Sequence, residues 1–395
     1  MRVLFTTWTI AGHFAPLVPI GWALRAAGHE VLVACPPGDT DQVVRAGLPA
    51  LPVGPDVNMV GLLRAKRGRG RQPRTVEDMF NDPNGYGRMV HTAEAVADVL
   101  ADDLVEYCRR WQPDLVIYEP TSLVGPLVAR LLGIPAVRQL WTSDFTAPIN
   151  GFPAAITGDL VSRFGLSELG TAGDLTLDTC PPILQVVDDL PRQPMRYVPY
   201  NGPARLPEWL REPPKRKRIC VSWGTTLHTL GRHRMFHVPR VVSALASLDA
   251  EVVVAVMDTH RELFPDPPPN VRAVGPVPLH LLLPTCDAIV HQGGSGTLMT
   301  AMASGVPQVI VPTLPDHNFN ARYMVAAGAG VQVPGREDVT EEDVLASTVD
   351  VLSDPAFRAA AARLREENQA RPAPAEVVPA LERLARDYAM AGVTR

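Results

Sequence analysis

The sequence predicts an α/β protein of two doubly wound domains facing each other across a cleft. Three observations carry this expectation. The chain has 395 residues, and single hydrophobic cores stop growing near roughly 250–300 residues. Short apolar runs of strand type alternate with helical stretches in both halves, the pattern of parallel strands joined by right-handed crossovers. Between the halves, Tyr197–Lys217 reads YVPYNGPARLPEWLREPPKRK, rich in proline and charge, as suits an interdomain connection.

Taken in order, Arg2–Thr6 is an apolar strand, followed by Gly12-His13 and a helix opened by Pro16 and closed near Ala27 by Gly28-His29. Proline is well tolerated in a first turn because its missing N–H has no helical partner there. Glu30–Ala34 is the next strand, which makes the opening a β-loop-α-β unit. Leu115–Tyr118 is a further buried strand, then come a helix near Leu123–Leu132 and, after Gly133-Ile134-Pro135, the strand Ala136–Leu140. A second series starts with the strand Ile219–Ser222. It continues through a helix over Val238–Ser247 and strands at Glu251–Val256, Val271–Val274, Ala288–Val290 and Gln308–Val311. Val377, Val378, Leu381, Leu384 and Tyr388 recur at helical spacing in the tail Pro374–Ala389. The expected bounds are a first domain over 1–205, a linker over 206–217 and a second domain over 218–373, with a terminal helix over 374–395.

Composition narrows the function classes. Hydrophobic residues make up 46% of the chain, enough for two cores and too many for a disordered protein. A net charge of −5 argues against a nucleic-acid partner drawn by a global positive field. No apolar run reaches the roughly 18 residues that span a bilayer, so no membrane insertion is expected. The start MRVLFTTWTIAGH reads as a core strand and not as a signal peptide, which makes the cytoplasm the expected location. Five scattered cysteines without a C-x-x-C fit reduced, buried thiols. The 40 prolines sit mostly at element boundaries, as loop punctuation. Pro55–Gly87 holds AKRGRGRQPR at Ala65–Arg74, basic and without apolar period; a solvated loop and an acceptor-side lid or partner contact are both open readings.

The chemistry concentrates between Val277 and Gly330. There the strand Ala288–Val290 feeds His291 and then Gly293, Gly294, Ser295, Gly296 and Thr297 at the start of a helix. A helix start carries free N–H groups and the positive end of the dipole, and glycines let a diphosphate come close to the backbone. Ser295 and Thr297 add hydroxyl donors. Trp223-Gly224-Thr225 follow the first strand of the second domain, where a glycine and a hydroxyl can meet a phosphate or a ribose. His13 and Glu119 each follow a strand of the first domain. A histidine there has the titration range of a general base, and a carboxylate on its other nitrogen would fix the tautomer. Asp144, in WTSDF, is a second candidate carboxylate. The lone D-x-D, Asp39-Thr40-Asp41, reads as a turn or helix cap and not as a metal site, and Asn320 as a helix cap.

The spacing H-x-G-G-x-G-T, with the acidic-polar pair Asp316-His317 about twenty residues later, resembles the donor signature of nucleotide-sugar glycosyltransferases of the GT-B fold. Within that fold it is most similar to the bacterial natural-product enzymes that decorate polyketides, macrolides and glycopeptides. The resemblance implies two Rossmann-like domains, with the terminal helix crossing back to the first. It makes His13 the base, Glu119 its partner in place of the more usual aspartate, and Val277-Pro278-Leu279 the turn that reads the pyrimidine. It also makes His291 a donor to the diphosphate and Asp316-His317 the pair that holds sugar hydroxyls. The usual partner of the acid is glutamine, so His317 fits an unusual or deoxygenated sugar.

The activity implied by the resemblance is that of an inverting, metal-independent glycosyltransferase. It would move a deoxysugar from a dTDP-sugar co-substrate, with no other cofactor, to a hydroxyl of a polyketide-type aglycone; transfer to carbon stays open. A homodimer and an auxiliary activator protein are candidate partners on the same ground. Three alternatives fit the residues less well. A nicotinamide-dependent oxidoreductase needs G-x-G-x-x-G after an early strand, and the first loop, TTWTIAGHFAP, has one glycine. A non-catalytic sugar-nucleotide binder would lack His13 or its carboxylate, and both are present. A nucleotide-sugar epimerase or hydrolase needs no acceptor pocket, which Pro55–Gly87 and Thr142–Leu175 resemble.

Overall fold

In the computed structural model the described residues are all but 9, 57–84, 148–151, 187–188, 230–232, 335–338 and 394–395. The expected lid or loop at Ala65–Arg74 therefore lies outside them, as does most of Pro55–Gly87. Along the first half run β1 (Arg2–Thr6), β2 (Glu30–Cys35), β3 (Ala50–Pro52), β4 (Leu115–Tyr118), β5 (Ala136–Gln139), the small hairpin β6 (Ala155–Ile156) and β7 (Leu169–Gly170), β8 (Leu175–Asp178) and β9 (Arg192–Pro194). The second half holds β10 (Lys217–Ser222), β11 (Ala250–Ala255), β12 (Val271–Gly275), β13 (Ala288–His291), β14 (Gln308–Ile310) and β15 (Gly330–Gln332). Two all-parallel sheets result, in the orders β3-β2-β1-β4-β5-β8-β9 and β12-β11-β10-β13-β14-β15.

Parallel strands need a covering on both faces, and the sequence supplies it by alternation. In the first sheet Leu4, Val116 and Tyr118 turn to one face, against Ala97, Leu104, Leu127 and Val128 of the helices Gly85–Trp111 and Val124–Leu132. Val3, Phe5, Leu115 and Ile117 turn to the other face, against the helix Val18–Ala26. Gly125 lets its helix sit close to the sheet, because a Cβ there would lie 2.4 Å from Thr6 Oγ1 and 2.7 Å from Tyr118 Cβ. In the second sheet Ile219, Val221, Val252 and Val290 pack on the helices Val238–Leu245 and Glu341–Ser353. Each such aliphatic side chain contributes about 1.5–3 kcal/mol by leaving water.

The terminal helix Pro374–Val393 crosses back to the first domain, burying Val377, Val378 and Leu381 beside Val3, Phe5 and Leu24. His29 Nε2 stands 3.0 Å from Glu382 Oε1, and the Tyr388 hydroxyl donates to Asp174. The domains also meet directly, where Cys180, Leu184 and Tyr197 pack with Leu298, Met299 and Met324.

The first helix differs from expectation. It begins at Ala11 and reaches Ala26 through a short 3-10 turn at Ala15–Leu17, instead of opening at Pro16. Ile10 in extended conformation caps it, and its carbonyl accepts from the N–H groups of His13 and Phe14 at 2.9 and 3.1 Å. His13 is thereby held on a helical turn and not in the loop before it. Both sheets reverse their strand order between the first and fourth strands of their own series: at β1/β4 and at β10/β13. Open α/β sheets bind ligands beyond the carboxyl ends of their strands at such switch points.

Candidate active site

His13 follows β1 and Glu119 follows β4, neighbours in register at Thr6 and Tyr118, so the sheet itself brings them to one switch point. His13 Nδ1 is 3.1 Å from Glu119 Oε2. A carboxylate only accepts, so Nδ1–H donates and Nε2 keeps its lone pair. Glu119 is fully buried and its oxygens are satisfied. The Thr121 hydroxyl lies 2.7 and 2.9 Å from Oε1 and Oε2, the Thr121 N–H donates at 2.9 Å and the Trp8 N–H at 3.3 Å. The imidazole lies between two indoles: Trp8 is stacked on it at 5.3 Å and Trp141 tilted at 4.5 Å, with 22% of the His13 side chain still open. That geometry suits a base that takes a proton at Nε2 and shares the resulting positive charge with a buried carboxylate and two aromatic faces.

Asp144 does not join this pair. Its buried carboxylate is 2.5 Å from Arg138 and 3.1 Å from Arg192, and it accepts from the Thr146 hydroxyl at 2.9 Å. Arg192 reaches on to Asp178, 3.4 Å away; burial pushes that carboxyl up, against the pull of Arg192 and Arg371. The second candidate carboxylate is thus committed to a structural ion network.

The second switch point holds the glycine turn. Gly293 has φ +93°, and a Cβ there would lie 3.0 Å from Ile310 Cγ2 and from His317 Cβ, so only glycine fits without strain. Gly294 is the N-cap of the helix Ser295–Ser304, and no side chain caps its first N–H groups. Around Gly296 a Cβ would meet nothing within 4 Å. Free N–H groups, the positive dipole end and the hydroxyls of Ser295 and Thr297 therefore stand together, the setting an anion needs. Gly224, after β10 and before Thr225, lies across from this turn with Gln292 wedged between: a Cβ on Gly224 would come 2.8 Å from Gln292 Nε2, and one on Gly294 3.1 Å. Val277 and Pro278 lead into the short helix Leu279–Leu282, whose first carbonyl cap is Pro278.

Two residues expected at the donor site pack inward. His291 is fully buried, and both ring nitrogens are engaged inside the domain. The Gly293 N–H donates to Nδ1 at 3.0 Å, which puts the proton on Nε2, and Nε2 donates to Gln308 at 2.9 Å. Burial pushes its pKa down to about 3, so it is neutral, and its bonds to Gly293 and Gln308 shape the turn. Trp223 is fully buried too, its indole N–H donating to the Met235 carbonyl at 2.8 Å, and supports the turn after β10 from behind. The pair Asp316-His317 differs in exposure, although His317 Nε2 lies 3.9 Å from Asp316 Oδ2. Asp316 keeps 39% of its side chain open in the first turn of the helix Pro315–Ala326, while His317 is buried behind the glycines, with Nδ1 3.0 Å from Thr313 Oγ1.

Asn320, expected only as a cap, instead donates to the Gly293 carbonyl at 3.0 Å and to Ser295 Oγ at 3.2 Å. It, Thr121, Gln292 and Gln308 are site residues that sequence reasoning missed. Asp39 ends a 3-10 turn over Pro37–Asp39, and Asp41 lies in the first turn of the helix Thr40–Arg45. Among the described residues no helix is long and apolar enough to cross a membrane.

Comparison with known proteins adds a family. The model of the erythromycin biosynthesis protein CIII-like N-terminal domain matches residues 22–224, and that of its C-terminal domain residues 239–384. The chain is 37% identical to aklavinone 7-beta-L-rhodosaminyltransferase of Streptomyces galilaeus, over 98% of this chain and 96% of the relative. It is 37% identical to 10-deoxymethynolide desosaminyltransferase of Streptomyces venezuelae, over 98% of each. The solved structure of glycosyltransferase VinC in complex with dTDP superposes with a TM-score of 0.82 at 34% identity, over 98% of this chain and 100% of that one. Neither an oxidoreductase nor a non-catalytic binder is favoured by these relatives. The two switch-point sites therefore sit in a GT-B-fold glycosyltransferase that belongs to the erythromycin biosynthesis protein CIII-like family.

Proposed function

We propose that this enzyme is an inverting, metal-independent transferase that moves a deoxysugar from a dTDP-sugar to a hydroxyl of a polyketide-type aglycone. The buried Glu119 holding His13 by Nδ1, with Nε2 free, is the observation that carries the reading. His13 Nε2 takes the proton of the acceptor hydroxyl. The oxygen attacks the anomeric carbon from the face opposite the diphosphate, so one C–O bond forms, the other breaks, and the configuration inverts. dTDP leaves with the electron pair, and its growing charge is met by the N–H groups at the start of the Ser295–Ser304 helix and by the Ser295 and Thr297 hydroxyls. Those fixed donors are the support for a transfer that needs no metal. Support for the donor nucleotide is the dTDP named in the VinC complex; support for the acceptor is the aklavinone and 10-deoxymethynolide in the names of two relatives.

Calorimetric titration of the protein with dTDP, UDP and GDP, with and without EDTA, tests the donor half. The expected result is tightest binding of dTDP, indifferent to EDTA. Preference for UDP overturns the donor class, and loss of binding in EDTA overturns metal independence. A folded sample that takes no nucleotide overturns the site itself.

A further inference from the structure

After β5 the chain runs Trp141-Thr142-Ser143-Asp144-Phe145, and this strap has one face on each half of the site. Trp141 packs on His13 with ring centroids 4.5 Å apart. The Thr142 hydroxyl, one residue on, donates across the cleft to Asn320 Oδ1 at 3.3 Å. Asn320 Nδ2 then donates to the Gly293 carbonyl at 3.0 Å and to Ser295 Oγ at 3.2 Å. A carbonyl can only accept, so the amide orientation is fixed by chemistry and Nδ2 must be the atom facing Gly293. Thr142 and Asn320 are both buried. Beside them Phe145 meets Phe319 edge-on at 6.3 Å.

The strap itself is immobilised in the first domain. The Asp144 carboxylate is held by Arg138 and Arg192, the Asp144 N–H donates to Gln185 at 2.7 Å, and the Ser143 hydroxyl donates to the Leu184 carbonyl. The ion network that takes Asp144 out of the chemistry thus anchors the residue that reaches the donor turn.

We propose that Asn320 is a positioning residue that sets the polarity of the phosphate turn and, through Thr142, ties that turn to the domain carrying the base. The turn is affected in two ways. Asn320 holds the Gly293 carbonyl, which would repel an anion, away from the diphosphate. It also fills a lone pair of Ser295 Oγ, which leaves the Ser295 hydroxyl proton to donate to a phosphate oxygen. The bond from Thr142 makes both effects depend on the closed approach of the two domains, so the donor site is completed at the distance at which the base can work. This inference rests on the donor role given above to the Gly293–Thr297 turn.

The test uses the full-length protein, dTDP as the probe and hydrogen exchange of the 291–298 stretch without ligand. Asn320→Asp is nearly isosteric but can only accept, so it repels the Gly293 carbonyl and pulls the Ser295 proton towards itself. It should weaken dTDP binding more than Asn320→Ala does, and Asn320→Ala by about 3- to 10-fold, as expected for one or two hydrogen bonds. Thr142→Val, in the other domain, should speed exchange of 291–298 and weaken dTDP, and Thr142→Ser should restore both. Adding Thr142→Val to Asn320→Ala should cost nothing further. The proposal is overturned if Asn320→Asp binds dTDP as well as Asn320→Ala, or if Thr142→Val leaves exchange of 291–298 unchanged. A wild-type protein that takes no dTDP would bring down the functional reading alone, because the exchange result still decides the clamp.

Discussion

Replacing Glu119 by glutamine changes one atom and should disable transfer. In the wild type the carboxylate accepts from His13 Nδ1–H at 3.1 Å, from the Thr121 N–H at 2.9 Å, from the Thr121 hydroxyl at 2.7 Å and from the Trp8 N–H at 3.3 Å. Glutamine keeps one acceptor oxygen. That oxygen cannot serve both sets of donors: Oε2 takes His13 Nδ1–H and the Thr121 N–H, Oε1 takes the Trp8 N–H, and the NH2 opposes a backbone N–H in either orientation. The weaker clash, with the Trp8 N–H at 3.3 Å, leaves the oxygen at the Oε2 place, where His13 Nδ1–H still donates but to a neutral amide. The variant also loses the negative charge that offsets the imidazolium. General-base catalysis is worth about 10²- to 10⁴-fold, and a base that can no longer share its positive charge with a carboxylate loses most of it. Unfolding by urea should show a loss of about 1–3 kcal/mol from the disturbed bonds, too little to unfold the chain. The assay is initial-rate transfer from a dTDP-sugar, with dTDP affinity measured on the same sample. A fall in kcat with dTDP affinity unchanged is expected. A folded Glu119→Gln protein within about threefold of wild-type kcat would refute the charge argument, since a threefold effect is below what disabling a general base costs.

Other consequences are as direct. Asp144→Ala leaves Arg138 buried without its ion-pair partner and loosens the strap it anchors, so urea denaturation should show about 3–5 kcal/mol lost and the folded fraction should bind dTDP more weakly; a fall in kcat with stability unchanged would return Asp144 to the chemistry. Gly293→Ala forces a side chain onto φ +93° against Ile310 and His317, which costs about 1–3 kcal/mol, and should abolish dTDP binding. Gly296→Ala points into open space, so it should fold normally, and any loss of dTDP affinity there reports a ligand against the helix start. His291 has a folded pKa of about 3 against an ordinary value of 6.5, so the unfolded chain binds the proton first as pH falls. Its contribution is full above pH 6.5 and is lost progressively down to about 3, near 1.4 kcal/mol per unit, or about 2 kcal/mol by pH 5. His291→Gln should flatten that slope in urea titrations at pH 7 and pH 5; an unchanged slope would mean another group carries it.

The His13–Glu119 pair was legible because each follows an apolar strand, and parallel pairing of β1 with β4 brings both strand ends together whatever the intervening chain does. The glycine turn was legible for the same reason at β13. Which way a strand-end side chain points was not legible. His291 and Trp223 sit one residue from the turn, but their rings pack inward, His291 onto Gln308 from β14 and Trp223 onto Met235. Only the three-dimensional neighbours decide that. Asn320 was read as a cap because its neighbours in sequence allow nothing better; Thr142, its partner in the other domain, is 178 residues away. β9, Arg-Gln-Pro, and β15, Gly-Val-Gln, have no apolar period to reveal them. They are strands because a sheet edge offers them hydrogen bonds, and Arg192 of β9 adds its ion pairs with Asp144 and Asp178. The long helix Gly85–Trp111 did carry a signal, with Ala93, Ala97, Leu100, Leu104 and Cys108 at three- and four-residue spacing.

The central claim is that His13 does the proton chemistry next to a donor site it does not itself build. The most direct measurement is single-turnover transfer from a dTDP-sugar by His13→Ala, with dTDP binding and the urea midpoint taken on the same preparation. The account predicts a rate lower by about 10²- to 10⁴-fold at unchanged dTDP affinity and near-native stability. A folded His13→Ala protein that transfers sugar at close to the wild-type rate would contradict it.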